Sequence, residues 1–206
     1  MGFQWLFIIV AIVQQELQLL REFIARLGPF NETEWSAFSA LWEPLELGRK
    51  AVLTAPGSVE SYLYFVLEGV QRIYYFDDQE REATLVFSYP PSFTGVVDSF
   101  MLQTPSRYYV ETLTPSRLLR APHHRFQEVM QEIPNMNQHI TKAMYGAFSG
   151  LLERMVELQC FSSAEKIQRL LERSPQVLQL VPHKYLANYI GIDPATFSKI
   201  LNHTRL

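Results

Sequence analysis

The sequence predicts an α+β fold: an N-terminal double-stranded, jelly-roll-like β-roll, then one long helix, then a small C-terminal α-helical unit. Three observations carry that prediction. Between about Leu45 and Arg120, short β-rich runs alternate with turn residues. From Asn135 to about Gln159 an apolar pattern of helical period continues without a Gly-Pro or Pro break. His183 to Asn202 has the spacing of two short helices crossing about a glycine. These place the divisions at 1–133, 134–160 and 161–206.

A hydrophobic content of 48% with 19% charged residues is that of a folded soluble chain. Cys160 stands alone, which excludes an internal disulfide, an iron–sulfur cluster and a cysteine-rich zinc site, so no metal is expected. The net charge of -3 divides unevenly. Residues 161–206 hold six basic and three acidic side chains, leaving twelve basic and eighteen acidic in 1–160. A basic end (+3) on an acidic body (-6) permits phosphate contact at the C-terminal end and disfavours it elsewhere.

Residues 1–13 are strongly apolar but too few to span a bilayer, with no Lys or Arg ahead of them and no small-residue cleavage site behind. Neither a membrane span nor a signal peptide is expected. Val13, Leu17, Leu20, Ile24 and Leu27 continue in 4-3-4-3 steps, an amphipathic helix ending at Gly28-Pro29 that should pack on the β-roll or a partner. Asn31 with Glu34 three positions on is a capping box for a short second helix. Runs 61–67 and 70–76 flank Glu68-Gly69 and read as a tight hairpin. Asp77-Asp78-Gln79 turns into a strand at 83–88, and 108–113 with 116–120 read as a further pair about Thr114-Pro115. A helix after Pro122 ends before Pro134. In the long helix, Ile140, Met144, Ala147, Leu151, Met155 and Leu158 form a near-heptad seam, so two such helices are expected to pair in a two-fold homodimer.

The stretch His183–Asn202 carries the most information. Ala187 is the small residue at the helix crossing, and Gly191 four residues later makes the turn. Leu186, Ile190, Ile192, Phe197 and Ile200 supply the interior. Asp193 is placed to cap the second helix and Pro194 to start it. Such a helix enters the major groove by its N-terminal part, which nominates Asp193, Ala195, Thr196, Ser198, Lys199 and Asn202 as the groove face. Lys199 suits a guanine or a phosphate, and Lys184 a backbone phosphate.

With these residues in hand, positions 16–204 resemble the Crp/Fnr family of bacterial regulators. Besides the element order, Tyr64-Phe-Val-Leu-Glu-Gly69 resembles the family's aromatic strand and glycine turn. Phe93-Thr-Gly95 followed by Pro105-Ser-Arg107 resembles the phosphate-binding cassette of its cyclic-nucleotide-binding domain. The resemblance implies a cytoplasmic, dimeric transcription regulator whose β-roll is a small-molecule sensor. Its partners would be double-stranded DNA carrying an inverted-repeat operator, and RNA polymerase. A cyclic nucleotide or another small effector is the implied ligand, in a pocket matched by Gly95, Val96, Arg107 and Tyr108. The family's ribose-binding glutamate is Val96 here, and its hydroxyl residue after the arginine is Tyr108. The missing carboxylate removes a charge-assisted hydrogen bond worth about 1.5–3 kcal/mol, so the pocket is not expected to be tuned to cyclic AMP.

An enzyme is the rival class. His123-His124 has no carboxylate at metal spacing, no catalytic or nucleotide-loop motif occurs, and residues 45–120 contain no His for a metal-bearing roll. No catalytic residue is nominated. The alternative to a regulator is an effector-binding sensor or scaffold whose helix-turn-helix no longer binds DNA.

Overall fold

The computed structural model describes residues 14–203. The apolar leader at 1–13 lies outside them. The first helix, α1, is described over 14–24 and gives way to turns before Gly28. It buries Leu20 and Ile24, as the 4-3 spacing predicts. Gly28 is where the chain passes the ring of His139: a Cβ there would come within 2.2 Å of it. Helix α2 (Glu32–Ser39) has the full capping box, Asn31 accepting from the Glu34 amide while the Glu34 carboxylate takes the Asn31 amide, both at 2.9 Å.

Eight antiparallel strands follow: β1 (Glu43–Leu47), β2 (Val52–Thr54), β3 (Tyr62–Glu68), β4 (Gln71–Phe76), β5 (Glu82–Ser88), β6 (Ser92–Thr94), β7 (Tyr109–Thr112) and β8 (Ser116–Pro122). A short helix, α3 (Val97–Leu102), lies between β6 and β7. The strands make two four-stranded sheets, ordered β1-β8-β3-β6 and β2-β7-β4-β5. This is the jelly-roll arrangement that the turn spacing predicts.

Two strand pairings differ from the expectation. β3 and β4 are not a hairpin but lie in different sheets, and so do β7 and β8. Glu68-Gly69 and Leu113-Thr114-Pro115 are the corners where the chain crosses between sheets. The physical reason is visible at Gly69, whose φ is +87° and whose absent Cβ would meet Pro115 O at 2.5 Å and Ser116 Cα at 2.9 Å. The two crossings stack on each other, and only a residue without a side chain lets them close. The β4–β5 hairpin through the Asp77 turn is as expected.

Helix α4 (His123–Glu132) is followed by α5 (Met136–Cys160), 25 residues long. Four short helices complete the chain: α6 (Ser163–Arg173), α7 (Val177–Leu180), α8 (His183–Tyr189) and α9 (Pro194–His203). One core joins α1, α2, α4 and the start of α5 to the first sheet through Leu20, Phe38, Trp42, Phe65, Leu119 and Phe126. A second joins α6–α9 to the roll: Leu170, Leu186, Ile190 and Phe197 are continuous with Val70 and Leu113 and reach Phe87 and Tyr89. The C-terminal helices are thus packed onto the β-roll, not merely appended to it.

Candidate functional site

The helix-turn-helix is built as its spacing predicts. Ala187, Leu186, Ile190 and Phe197 are fully buried, with Ile192 and Ile200 packed against them. Gly191 takes φ +65°, and beside it the Ile192 amide bonds back to Ala187 O at 3.0 Å, closing the turn. Asp193 Oδ1 accepts from the amides of Ala195 (2.8 Å) and Thr196 (3.1 Å), so the second helix begins at Pro194 with its first free donors satisfied.

That construction leaves one face of α9 open. Asp193, Ala195, Thr196, Ser198, Lys199 and Asn202 are all exposed, and so is Lys184 at the start of α8. Ser198 donates its hydroxyl to Pro194 O at 3.0 Å, leaving its lone pairs outward. Lys199 makes no ion pair among the described residues. The Lys184 ammonium rests 4.6 Å from the Tyr185 ring centroid. The result is an exposed face with two cations, two hydroxyls and an amide, the donor and acceptor set that base edges and phosphates require.

The second candidate site is the loop region around α3. Gly95 has φ +123°, a backbone that favours glycine. Val96 is buried, and its amide donates to Glu60 Oε2 at 3.3 Å. Arg107 is exposed and has no ion pair among the described residues, whereas Tyr108 is half-buried. Ser106, just before the arginine, is buried and turned inward: its Oγ accepts from the Tyr108 amide (2.9 Å) and donates to Tyr108 O (2.8 Å). Asp98 is exposed in the first turn of α3 and does not take the place of the missing carboxylate.

Glu60 is the residue that sequence reasoning missed. It is 2% exposed, receives the Thr54 hydroxyl, and accepts from the Val96 amide and, at 3.4 Å, the Tyr62 amide. Burial pushes its carboxyl above the ordinary value, against the pull of those hydrogen bonds. The alternation Glu60, Tyr62, Tyr64, Val66 was the available signal, because it puts the carboxylate on the inward face of β3. The loop therefore carries its own buried carboxyl beneath Gly95–Val96, with the Arg107 cation outside.

The long helix presents the third feature. Met144, Tyr145, Phe148, Leu151, Leu152, Met155, Val156 and Leu158 are each at least 40% exposed, a continuous apolar stripe along three turns and more. Met144, Leu151, Met155 and Leu158 of the expected seam lie in it. Ala147 is exposed beside it, and Phe148 continues a 4-3-4-3 spacing from Met144 to Leu158. Ile140 instead packs against the core of its own β-roll. Among the described residues there is no cluster that could hold a metal ion and no helix long and apolar enough to cross a membrane.

This order of parts is shared with proteins of known structure. Residues 44–133 match the model of the cyclic nucleotide-binding domain family. FixK2 from Bradyrhizobium japonicum superposes with a TM-score of 0.72 at 14% identity, over 79% of this chain and 83% of that one. The fold is that of the Crp/Fnr regulators. The global regulator CLP of Xanthomonas campestris, described as c-di-GMP responsive, gives a TM-score of 0.64 at 18% identity, covering 84% of this chain and 91% of its own. The Thermus thermophilus catabolite activator protein gives 0.53 at 17% identity, over 84% and 83%. No curated protein matches the sequence. Within the Crp/Fnr fold, the cyclic nucleotide-binding domain holds Gly95 and Arg107, α5 is the long connecting helix, and α8–α9 are the helix-turn-helix.

Proposed function

We propose that this chain is a cytoplasmic, homodimeric DNA-binding transcription regulator of the Crp/Fnr type, not an enzyme, with an effector other than cyclic AMP. The observation that carries the reading is α9: a capped helix on a complete hydrophobic interior, with its groove-facing residues exposed together. An ordinary helical hairpin has no need of Asp193, Pro194 and Gly191 at those positions. The apolar stripe on α5 supports the dimer. A monomer rarely leaves a patch that size uncovered, and an identical helix about a two-fold axis buries it against itself. RNA polymerase is the further partner expected of such a regulator.

For the effector, Val96 in the ribose-carboxylate place and Tyr108 after Arg107 argue against cyclic AMP, and the Glu60 carboxyl already occupies the Val96 amide. Calorimetry with cyclic AMP is expected to show no binding tighter than about 100 μM. Micromolar binding would mean that the loop rearranges around the ligand.

The deciding experiment is selection from a random double-stranded DNA pool at low salt, with wild type and Lys199→Ala in parallel. Wild type should enrich an inverted repeat with half-sites about 34 Å apart. If Lys199 pairs with a guanine, the variant should lose about 1–3 kcal/mol per half-site and relax one base position. Selection of nothing by wild type refutes the regulator and leaves the effector-binding sensor or scaffold.

A further inference from the structure

Four stacked groups run from the cassette to the helix-turn-helix. Tyr109, two residues after Arg107, lies on Tyr74 of β4 with ring centroids 4.9 Å apart and planes 13° from parallel. The Arg72 guanidinium sits 3.9 Å from the Tyr74 centroid on one side and 4.2 Å from the Tyr185 centroid on the other. Tyr185 belongs to α8. The order follows from register: Arg72 faces Glu111 and Tyr74 faces Tyr109 across β4 and β7, so all four side chains share one face of the second sheet.

Ion pairs and a hydrogen bond hold the stack. Arg72 is 3% exposed and bonds Glu111 and Glu82 at 2.6 Å each. Lys50 donates to the Tyr185 hydroxyl at 3.0 Å. Burial pushes the Tyr185 phenol up, but that hydrogen bond and the surrounding Arg72, Lys50 and Lys184 charges bring it below the ordinary value. Beside the stack, Asn188 behaves as a strand would. Its Oδ1 accepts from the Thr84 amide at 2.5 Å and its Nδ2 donates to Glu82 O at 2.7 Å. β5 is an edge strand, so those backbone groups have no strand neighbour and α8 supplies one.

We propose that Asn188 and Tyr185 are positioning residues: they clamp the helix-turn-helix to the β-roll in one pose, and the Arg72 stack makes that pose answer to the Arg107–Tyr109 segment. The clamp grips α8 and leaves the exposed face of α9 free. A dimer that reads two half-sites at fixed separation gains when both reading heads are oriented beforehand, because disorder removed on binding subtracts from affinity. This rests on the reading of α9 as the DNA-reading helix.

The test uses full-length Asn188→Ala, Lys50→Ala and Tyr109→Leu, none of which alters the groove face. Hydrogen exchange of the Thr84 amide reports the clamp without DNA. It should quicken about two- to tenfold in Asn188→Ala, the weight of one neutral hydrogen bond, with the Val66 amide unchanged. Unchanged Thr84 exchange overturns the clamp. The second readout is the selected operator against copies with one or two base pairs inserted between half-sites. Wild type should discriminate strongly, and Asn188→Ala and Lys50→Ala should bind the native spacing less well and discriminate less. Tyr109→Leu, remote from α8, should move the same way; if it behaves as wild type, the stack carries no coupling. Faster exchange with spacing discrimination intact overturns the positioning role. Should neither wild type nor any variant bind DNA while Thr84 is protected in wild type and released in Asn188→Ala, the clamp stands and the DNA reading falls.

Discussion

Glu60 is a buried carboxyl that takes up a backbone donor of the loop before α3. It occupies the amide of Val96, a donor at the start of α3 that an incoming anion would otherwise find free. Its folded-state carboxyl titrates above the ordinary value because burial disfavours the charge. The native state therefore holds this proton more tightly than the unfolded chain. The associated stability is present at pH below the ordinary carboxylate value and is lost as pH rises through the folded value. Glu60→Gln removes that titration. The melting temperature of wild type relative to Glu60→Gln should increase as pH falls from neutral towards the ordinary carboxylate range; a difference independent of pH would show that the group does not titrate there. Asp193 offers a simpler case. It satisfies two amides of α9 in the open, so Asp193→Ala should cost about 1 kcal/mol of stability in denaturant unfolding. Both of its roles, cap and neighbour to Pro194, were legible from spacing alone. Glu60 was legible only to a reader who carried the period of two back from Tyr62.

At the scale of elements, local signals were read well and long-range pairings were not. Capping residues, Gly191 and the heptad pattern act within a few residues of their effect, so Asn31, Asp193 and α5 emerge directly from the sequence. Whether Glu68-Gly69 turns a hairpin or a corner depends on Pro115 and Ser116, which approach it only after folding. Gly69→Ala should therefore cost more than an ordinary turn substitution, about 2–3 kcal/mol, since it adds both an unfavourable φ and a clash with the second crossing. A loss under about 1 kcal/mol would mean that the corners relax apart. Similarly Phe148, one residue from the expected Ala147, is 61% exposed and continues a 4-3 repeat with Met144, Leu151, Met155 and Leu158. Leu151→Asp on that stripe would bury a charge against its own symmetry mate, at a cost of several kcal/mol. Sedimentation should find that variant monomeric. An unchanged dimer would move the interface off α5.

For the whole molecule, the division of charge was visible in sequence, while the docking of α8 on β5 was not. Asn188 and Tyr185 read there as unremarkable helix residues, because their partners Thr84, Glu82, Lys50 and Arg72 lie a hundred or more positions away. Besides the Tyr185 stack, polar attachments of the C-terminal helices include Asn188 on the β5 edge, Arg173 paired with buried Glu157 at 2.6 Å, and Arg154 bonded to Tyr189 O and stacked on its ring at 3.8 Å. Arg154 and Arg173 are therefore spent on architecture, which leaves few cations for DNA. Within the described residues the exposed face offers Lys184 and Lys199. In the proposed dimer, if Lys184 and Lys199 both meet phosphates, two lysines per subunit would make about four phosphate contacts, each contributing roughly -0.9 to the slope of log affinity against log salt. Operator binding should then show a slope of about -3 to -4, or about -2 if Lys199 pairs with a guanine instead. Lys184→Ala, acting in both subunits, should make it shallower by about 2 without changing base preference. A wild-type slope as steep as about -8 would require a basic surface that Lys184 and Lys199 do not provide, and the orientation of α9 on the groove would have to be redrawn.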